Sequence, residues 1–139
     1  MIAAISLSQT SRTTTGILLL TIIAVELGGL TMLRIVRGQQ PATDFQKSFA
    51  RAGHAHAGVL VIFAILAQVL ADATDLDGVL NIIARDGIWV AAILFPLGFF
   101  LSSAGRGATE PNRLIYLLYA GVVSLTAGVV ALGIGLLTA

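Results

Sequence analysis

Four long apolar segments constrain the fold of this chain more than any other feature. They run over residues 13–36, 49–71, 86–103 and 112–137. About 20 predominantly apolar residues cross the hydrocarbon core of a bilayer as an α-helix. Because lipid offers no hydrogen bonds to the backbone, such segments satisfy their amide groups by forming helices. The sequence therefore predicts an all-α, four-transmembrane-helix bundle that makes residues 1–139 a single integral membrane domain.

Composition agrees with a membrane protein. Hydrophobic residues make up 57% of the chain and charged residues 11%, whereas a soluble domain carries about 25% charged residues. The absence of cysteine excludes disulfides and thiolate metal sites. A formal net charge of +1 gives no reason to expect nucleic-acid binding. The start of the chain lacks a cationic region and a long apolar region before a cleavage site, and it is not interpreted as a removed signal peptide. Residues 1–12 are interpreted as a short tail or an interfacial turn.

The distribution of basic residues predicts the orientation of the bundle. Six of the eight lysines and arginines flank or lie in the first and third loops: Arg34, Arg37, Lys47, Arg51, Arg106 and Arg113. The positive-inside rule places these loops in the cytoplasm and both termini outside, an N-out/C-out arrangement. We also expect the basic residues of the first loop to contact lipid headgroups.

The segment Phe-Ala-Arg-Ala-Gly-His-Ala-His-Ala-Gly at residues 49–58 carries both histidines of the chain. Ionisable side chains inside membrane helices are costly and are usually functional. His54 and His56 are candidate cofactor or metal ligands, and the alternative is a hydrogen bond to water or a carbonyl. They point about 200° apart on a helix, so one metal cannot bind both. Small neighbours of His54, among them Ala57 and Gly58, leave room for a flat group.

Three further side chains are candidates for catalysis. Glu26 is either a reactive or proton-carrying group, or a neutral carboxyl bonded to another helix. Tyr116 and Tyr119 share one face of the fourth segment and are either supporting polar groups or interfacial anchors. A different stripe of small residues predicts close helix packing. That stripe comprises Gly121, Ser124, Gly128, Ala131 and Gly135.

The half of the bundle nearer the termini offers little chemistry in the sequence beyond Gln68 and Trp89. Trp89 fits an interfacial anchor. The aspartates of the second loop, at positions 72, 75 and 77, are interpreted as a solvated acidic turn because their spacing does not fit a calcium-binding loop. Residues 79–84 are interpreted as a short interfacial piece before the third span, in which Pro96 is expected to produce a kink.

The Phe-Ala-Arg-Ala-Gly-His motif that ends at His54 resembles the styrene oxide isomerases. These small bacterial membrane enzymes have four transmembrane helices and begin the second with Trp-Ala-Arg-Ala-His. The segment of residues 82–89 is similar to the family's Asp-Gly-Trp segment that enters the third helix. In that family a homotrimer holds haem b between subunits, with the motif histidine as axial ligand. Its ferric iron acts as a Lewis acid that converts an epoxide into an aldehyde.

For this chain the resemblance implies haem b, with its iron bound by His54 or His56, in a homo-oligomer of the bacterial inner membrane. It also implies a small apolar substrate that reaches the site from the lipid. Three departures from the family pattern bear on the candidate site. Gly53 intervenes before His54, and this one-residue slip turns the side chain by about 100° and keeps His56 a candidate. The family asparagine corresponds to Ala57, and a family tyrosine falls at Phe100.

Three hypotheses of different classes follow. The first is a haem-binding membrane protein with Lewis-acid isomerase activity. The second is a cofactor-free accessory subunit whose small-residue stripe binds a partner protein. The third is a proton-coupled transporter that uses Glu26 and a histidine, although the four spans show no inverted repeat.

Overall fold

The computed structural model describes residues 6–139 of the chain. It contains the helices α1 (Gln9–Val36), α2 (Asp44–Ala71), α3 (Gly78–Ser102) and α4 (Tyr116–Thr138), the last preceded by a 3₁₀ turn at Arg113–Ile115. All four helices are long and apolar enough to cross a membrane. The predicted all-α fold, with four helices of the length and apolarity that membrane spans need, is thereby confirmed. The expectation for residues 1–5 as the start of a tail lies outside the described residues.

Local capping explains why α2 starts five residues before the predicted Phe49. The Thr43 hydroxyl accepts a hydrogen bond from the Gln46 N–H, and the Gln46 side chain accepts one from the Thr43 N–H, both at 3.1 Å. This reciprocal pair satisfies two amide groups at the helix start. The polar first turn of α2 is therefore helical although its composition suggested a loop.

The start of α3 differs most from the prediction. The helix begins at Gly78, not at Asp86, and residues 79–84 form its first turns rather than a separate interfacial piece. It then continues through Pro96 to Ser102. The first span also starts earlier than predicted, at Gln9, because the Ser8 hydroxyl caps it by accepting the Ser11 N–H at 3.1 Å.

The small-residue stripe of α4 packs against α3, as its spacing predicted. The Ser124 hydroxyl donates to the carbonyl of Gly87 at 2.8 Å. A Cβ on Gly87 would stand 2.8 Å from the Cα of Gly128, so the two backbones meet without intervening side chains. Close approach of this kind is how small residues join membrane helices. Because α3 and, at Gly135, the loop that precedes it cover the stripe, the stripe is not available as the partner surface of the second hypothesis.

Helix α1 is attached differently from the other three. Within residues 6–139, the α1 backbone packs closely on α2 alone, whereas α2 also packs on α3 and α3 on α4. Only Ser11 and Leu18 of α1 are buried. The main apolar core lies where α2 and α3 meet, around Ala64, Ala67 and Ile88. This arrangement leaves a cleft between α1 and α3.

A polar network closes one end of that cleft. The Arg85 guanidinium donates hydrogen bonds of 2.8 Å to Asp72, to the Ser11 hydroxyl and to Asn81. The side chains of Arg85 and Asp72 are only 14% and 8% exposed. The network joins α1, α3 and the end of α2. The interpretation of the second loop as a solvated acidic turn is therefore wrong for Asp72, although Asp75 and Asp77 are exposed.

The environment of Asp72 alters its acidity. Burial raises the pKa of this carboxyl, but the backbone N–H of Ser8 and the Arg85 guanidinium both stabilise the carboxylate. The hydrogen bonds outweigh the burial, and the pKa falls from 3.8 to about 2. A carboxylate that accepts several hydrogen bonds is stabilised in this way.

We predict that acid weakens the attachment of α1. Because the folded pKa of Asp72 lies below its unfolded value, the carboxylate stabilises the fold above about pH 4, and this contribution is lost as the pH falls toward about 2. The measurement is the melting temperature of the detergent-solubilised protein across this range. Asp72→Asn should be less stable than wild type at neutral pH and show a smaller further loss in acid. Asp75→Asn, at an exposed position, is the control, and equal acid sensitivity in all three proteins would contradict the prediction.

Candidate functional site

A crevice of about 320 Å³ lies between α1, α2 and α3. Ligand pockets typically range from ~300 to 1,000 Å³, so this one suits a small molecule or part of a larger one. Its lining is almost entirely apolar. The residues are Ile17, Leu18, Thr21, Ala24, Val25, Gly28, His54, Ala57, Val61, Trp89, Ala92, Ile93, Pro96 and Phe100. Because α1 and α3 do not pack on each other, we infer that the crevice opens between them, toward lipid.

His54 is part of the crevice wall and faces α1. Its Nδ1 lies 3.4 Å from the point where a Cβ on Gly28 would stand. Its Cε1 and Nε2 lie 3.4 Å and 3.5 Å from the corresponding point on Gly29. The two glycines therefore give the imidazole access to the α1 backbone. His54 is half-buried, and within residues 6–139 no group forms a hydrogen bond with it.

His56 has a different environment. Its Nδ1 lies 2.8 Å from the carbonyl oxygen of Ala52, and because a carbonyl only accepts, this nitrogen carries the hydrogen. The ring stacks on Phe95 with centroids 5.2 Å apart and an interplanar angle of 12°. It also contacts Phe99 at 5.2 Å. His56 thus packs against α3, away from the Gly28–Gly29 contact of His54, and the two imidazoles do not converge on one point.

The two small residues predicted beside His54 do lie near it. Ala57 lines the crevice. Gly58 faces α1, where an added Cβ would meet Val25 at 3.8 Å. The sequence placed both on the His54 face of the helix, and the structure confirms that this face of α2 packs against α1.

The three catalytic candidates do not line the crevice. Glu26 is exposed, because it follows Val25 by one position and so points about 100° away from the α1 face that packs on α2. Tyr116 and Tyr119 are 69% and 55% exposed on the outward face of α4. Their rings contact each other edge to face at 5.9 Å. The structure therefore keeps these three polar groups apart from His54.

The α3 wall of the crevice contains residues that sequence reasoning did not assign to a site. The ring of Trp89, predicted as an interfacial anchor, lines the crevice while its indole N–H donates to Asp86 at 2.8 Å. Ala92, Pro96 and Phe100 follow at intervals of three and four residues. This helical periodicity was present in the sequence and marks one face of α3. It could not indicate whether that face meets another helix or an open cleft.

Comparison of the chain with protein-family models, curated proteins and solved structures found no match. The structure by itself defines a protein with four apolar helices of membrane-spanning length.

We predict that small apolar molecules enter the crevice and perturb Trp89, the one tryptophan of the chain. Bromobenzene, a heavy-atom quencher that partitions into detergent micelles, should quench its fluorescence. Ala57→Phe fills the crevice and should reduce the quenching severalfold. Ala55→Phe, at an exposed position two residues away, is the matched control and should behave as wild type. Equal quenching in all three proteins would show that Trp89 is reached from another side.

Proposed function

We propose that this protein is an integral membrane haem b protein in which His54 binds the iron and the adjoining crevice admits a small apolar molecule from the lipid. The observation that carries the proposal is the position of His54. It is an imidazole without a hydrogen-bond partner among the described residues, in the wall of an apolar crevice. Neutral imidazole is a common axial ligand of haem iron.

His54 suits this role better than His56. Two contacts restrain the His56 ring. Its Nδ1 hydrogen-bonds to the carbonyl of Ala52, and one face stacks on Phe95. The His54 ring lies at the crevice and has neither restraint. The one-residue slip in the motif left the choice open, and the surroundings of the two rings favour His54.

The residues of the crevice have the chemistry that haem binding needs, but iron can reach His54 only after a local movement. The apolar lining suits a porphyrin, and His54 supplies the nitrogen ligand. The Nε2 atom, however, lies 3.5 Å from the point where a Cβ on Gly29 would stand. Binding at that nitrogen therefore requires α1 to move away from α2 or the imidazole to turn into the crevice. Helix α1 is suited to such a movement because its backbone packs on α2 alone.

The reaction that follows from the proposal is Lewis-acid rearrangement of a small oxygen-containing substrate, and ferric haem would supply the Lewis acid. The chain's own residues at the crevice exclude water and bind apolar surface. Ala57 and Phe100, which replace the family's asparagine and tyrosine, both line the crevice beside His54. Neither can donate a hydrogen bond to a substrate oxygen. We therefore expect any epoxide isomerisation to be slow, since a single positioned donor is typically worth about 10²–10³ in rate.

The homo-oligomer, N-out/C-out topology and bacterial inner membrane location are part of the same proposal. The exposed position of Glu26 within α1 supports an oligomer, because an ionisable side chain that faces lipid is costly unless a neighbouring helix covers it.

We predict a Soret band in the absorption spectrum of protein purified from cells supplied with ample haem, in the oxidised and the reduced state. His54→Ala should lose the band because it removes the iron ligand. His56→Ala, the matched control on the same helix, should keep it. Assays for conversion of an aryl epoxide into an aldehyde then test the activity of the loaded protein.

Three outcomes would contradict the proposal. A haem-supplied protein without a Soret band would exclude the cofactor, and loss of the band only in His56→Ala would exclude His54 as the ligand. Retention of the band in both variants would exclude a histidine ligand. Circular dichroism of each variant separates loss of haem from loss of fold.

A further inference from the structure

A second groove lies at the end of the bundle where the first loop connects α1 to α2. Its volume is about 340 Å³, and it is lined by Ile35, Val36, Gly38, Gln40, Pro41, Ala42, Lys47 and Arg51. One wall, at the end of α1, is apolar. The opposite wall, at the start of α2, carries two cations. The groove is thus amphipathic, unlike the apolar crevice at His54.

The positive charges of Lys47 and Arg51 are poorly neutralised by other groups among the described residues. They are four residues apart on one helix face, a spacing at which like charges repel. Lys47 forms an ion pair with Asp44 at 3.2 Å, but the Asp44 side chain is fully exposed, so the pair contributes little. Among the described residues, Arg51 forms no ion pair. Arg34 and Arg37 lie exposed at the adjoining end of α1 and add to the positive potential.

The length of α2 indicates the depth of these cations. The helix has 28 residues, and at 1.5 Å per residue such a helix is about 42 Å long. The hydrocarbon core spans about 30 Å, so roughly two turns lie among the headgroups. The capped and polar first turns, which contain Lys47 and Arg51, are the part of α2 that suits this position.

An apolar surface continues from Arg51 along α2 in the direction of the bilayer centre. Ala55, Val59 and Ile62 follow it at intervals of four and three residues and are exposed. Val59 is 66% exposed and Ile62 is 64% exposed. Cations at headgroup level, followed by an uncovered apolar stripe, match the phosphate and acyl chain of one lipid molecule.

We propose that this groove is a binding site for an anionic phospholipid. Lys47 and Arg51 bind the phosphate, Ile35 and Val36 contact the glycerol region, and an acyl chain lies along Ala55, Val59 and Ile62. The apolar wall and the exposed stripe on α2 favour a phospholipid over a free phosphate ion, which would gain nothing from contact with them. The proposal of this site does not rest on haem binding or on His54.

The test is native mass spectrometry of the detergent-purified protein with phosphatidylglycerol and with phosphatidylcholine, supported by melting temperatures at increasing lipid concentration. Wild type should retain phosphatidylglycerol preferentially. Lys47→Gln with Arg51→Gln should weaken that retention by roughly 30-fold, about fivefold for each cation. Arg113→Gln, an exposed cation at the same end of the bundle, should retain the lipid as wild type does.

A second variant keeps the proposal testable if the double substitution impairs folding. Lys47→Arg with Arg51→Lys preserves both charges and should retain phosphatidylglycerol. Val59→Gln disturbs the acyl-chain stripe without changing charge and should weaken retention of the lipid. Equal retention by wild type and the double glutamine variant would overturn the proposal. So would full competition by inorganic phosphate, which would identify a simple anion site.

Discussion

The Arg85 guanidinium joins three helices at one end of the bundle, and the geometry of the candidate site depends on that junction. It bonds to Ser11 at the start of α1, to Asp72 at the end of α2 and to Asn81 on α3. Elsewhere α1 relies on its contact with α2. A helix fixed at one end and on one side leaves a cleft on its other side, and this cleft is the crevice that contains His54.

The Arg85 junction and the α3–α4 contact are stabilised by different interactions. Glycine-to-glycine packing joins α3 and α4 by close backbone approach, which contributes dispersion along the contact and leaves no space for a ligand. The polar junction fixes only one end of α1, and breaking one partner of a buried ion pair is costly because the other charge remains buried. Helices α3 and α4 therefore form a closely packed pair. Helix α2 carries His54, and α1 is held less tightly than the other helices.

Much of the fold followed from the sequence. The four apolar segments were long enough to identify four helices, and the spacing of small residues on the last segment indicated its packing face. The helix starts did not follow. The capping pair of Thr43 and Gln46 has the composition of a loop, and Arg85 and Asp86 separated the mostly apolar residues 79–84 from the rest of the third span. Arg85 and Asp72 lie 13 residues apart in different elements, and no periodic pattern indicates that such residues form an ion pair.

The site was predictable only in part. Small residues beside His54 indicated a face of α2 that another element can approach closely, and α1 lies against that face. The wall formed by Trp89, Pro96 and Phe100 was missed because an apolar helix face has the same pattern whether it packs on a helix or borders a cleft. Glu26, Tyr116 and Tyr119 were selected for their chemistry and approximate depth. Depth alone does not determine direction, and all three point outward.

The most direct test of the central claim, that His54 binds a haem iron at the crevice, is an imidazole-rescue measurement. The absorption spectrum of the His54→Gly variant, reconstituted with haem, is recorded with and without added imidazole. The account predicts that the Soret band of the bound haem is lost in the variant and returns with imidazole, because the deleted side chain leaves its space beside an open crevice. The claim would be contradicted if the variant, measured without added imidazole, gave the same spectrum as wild type.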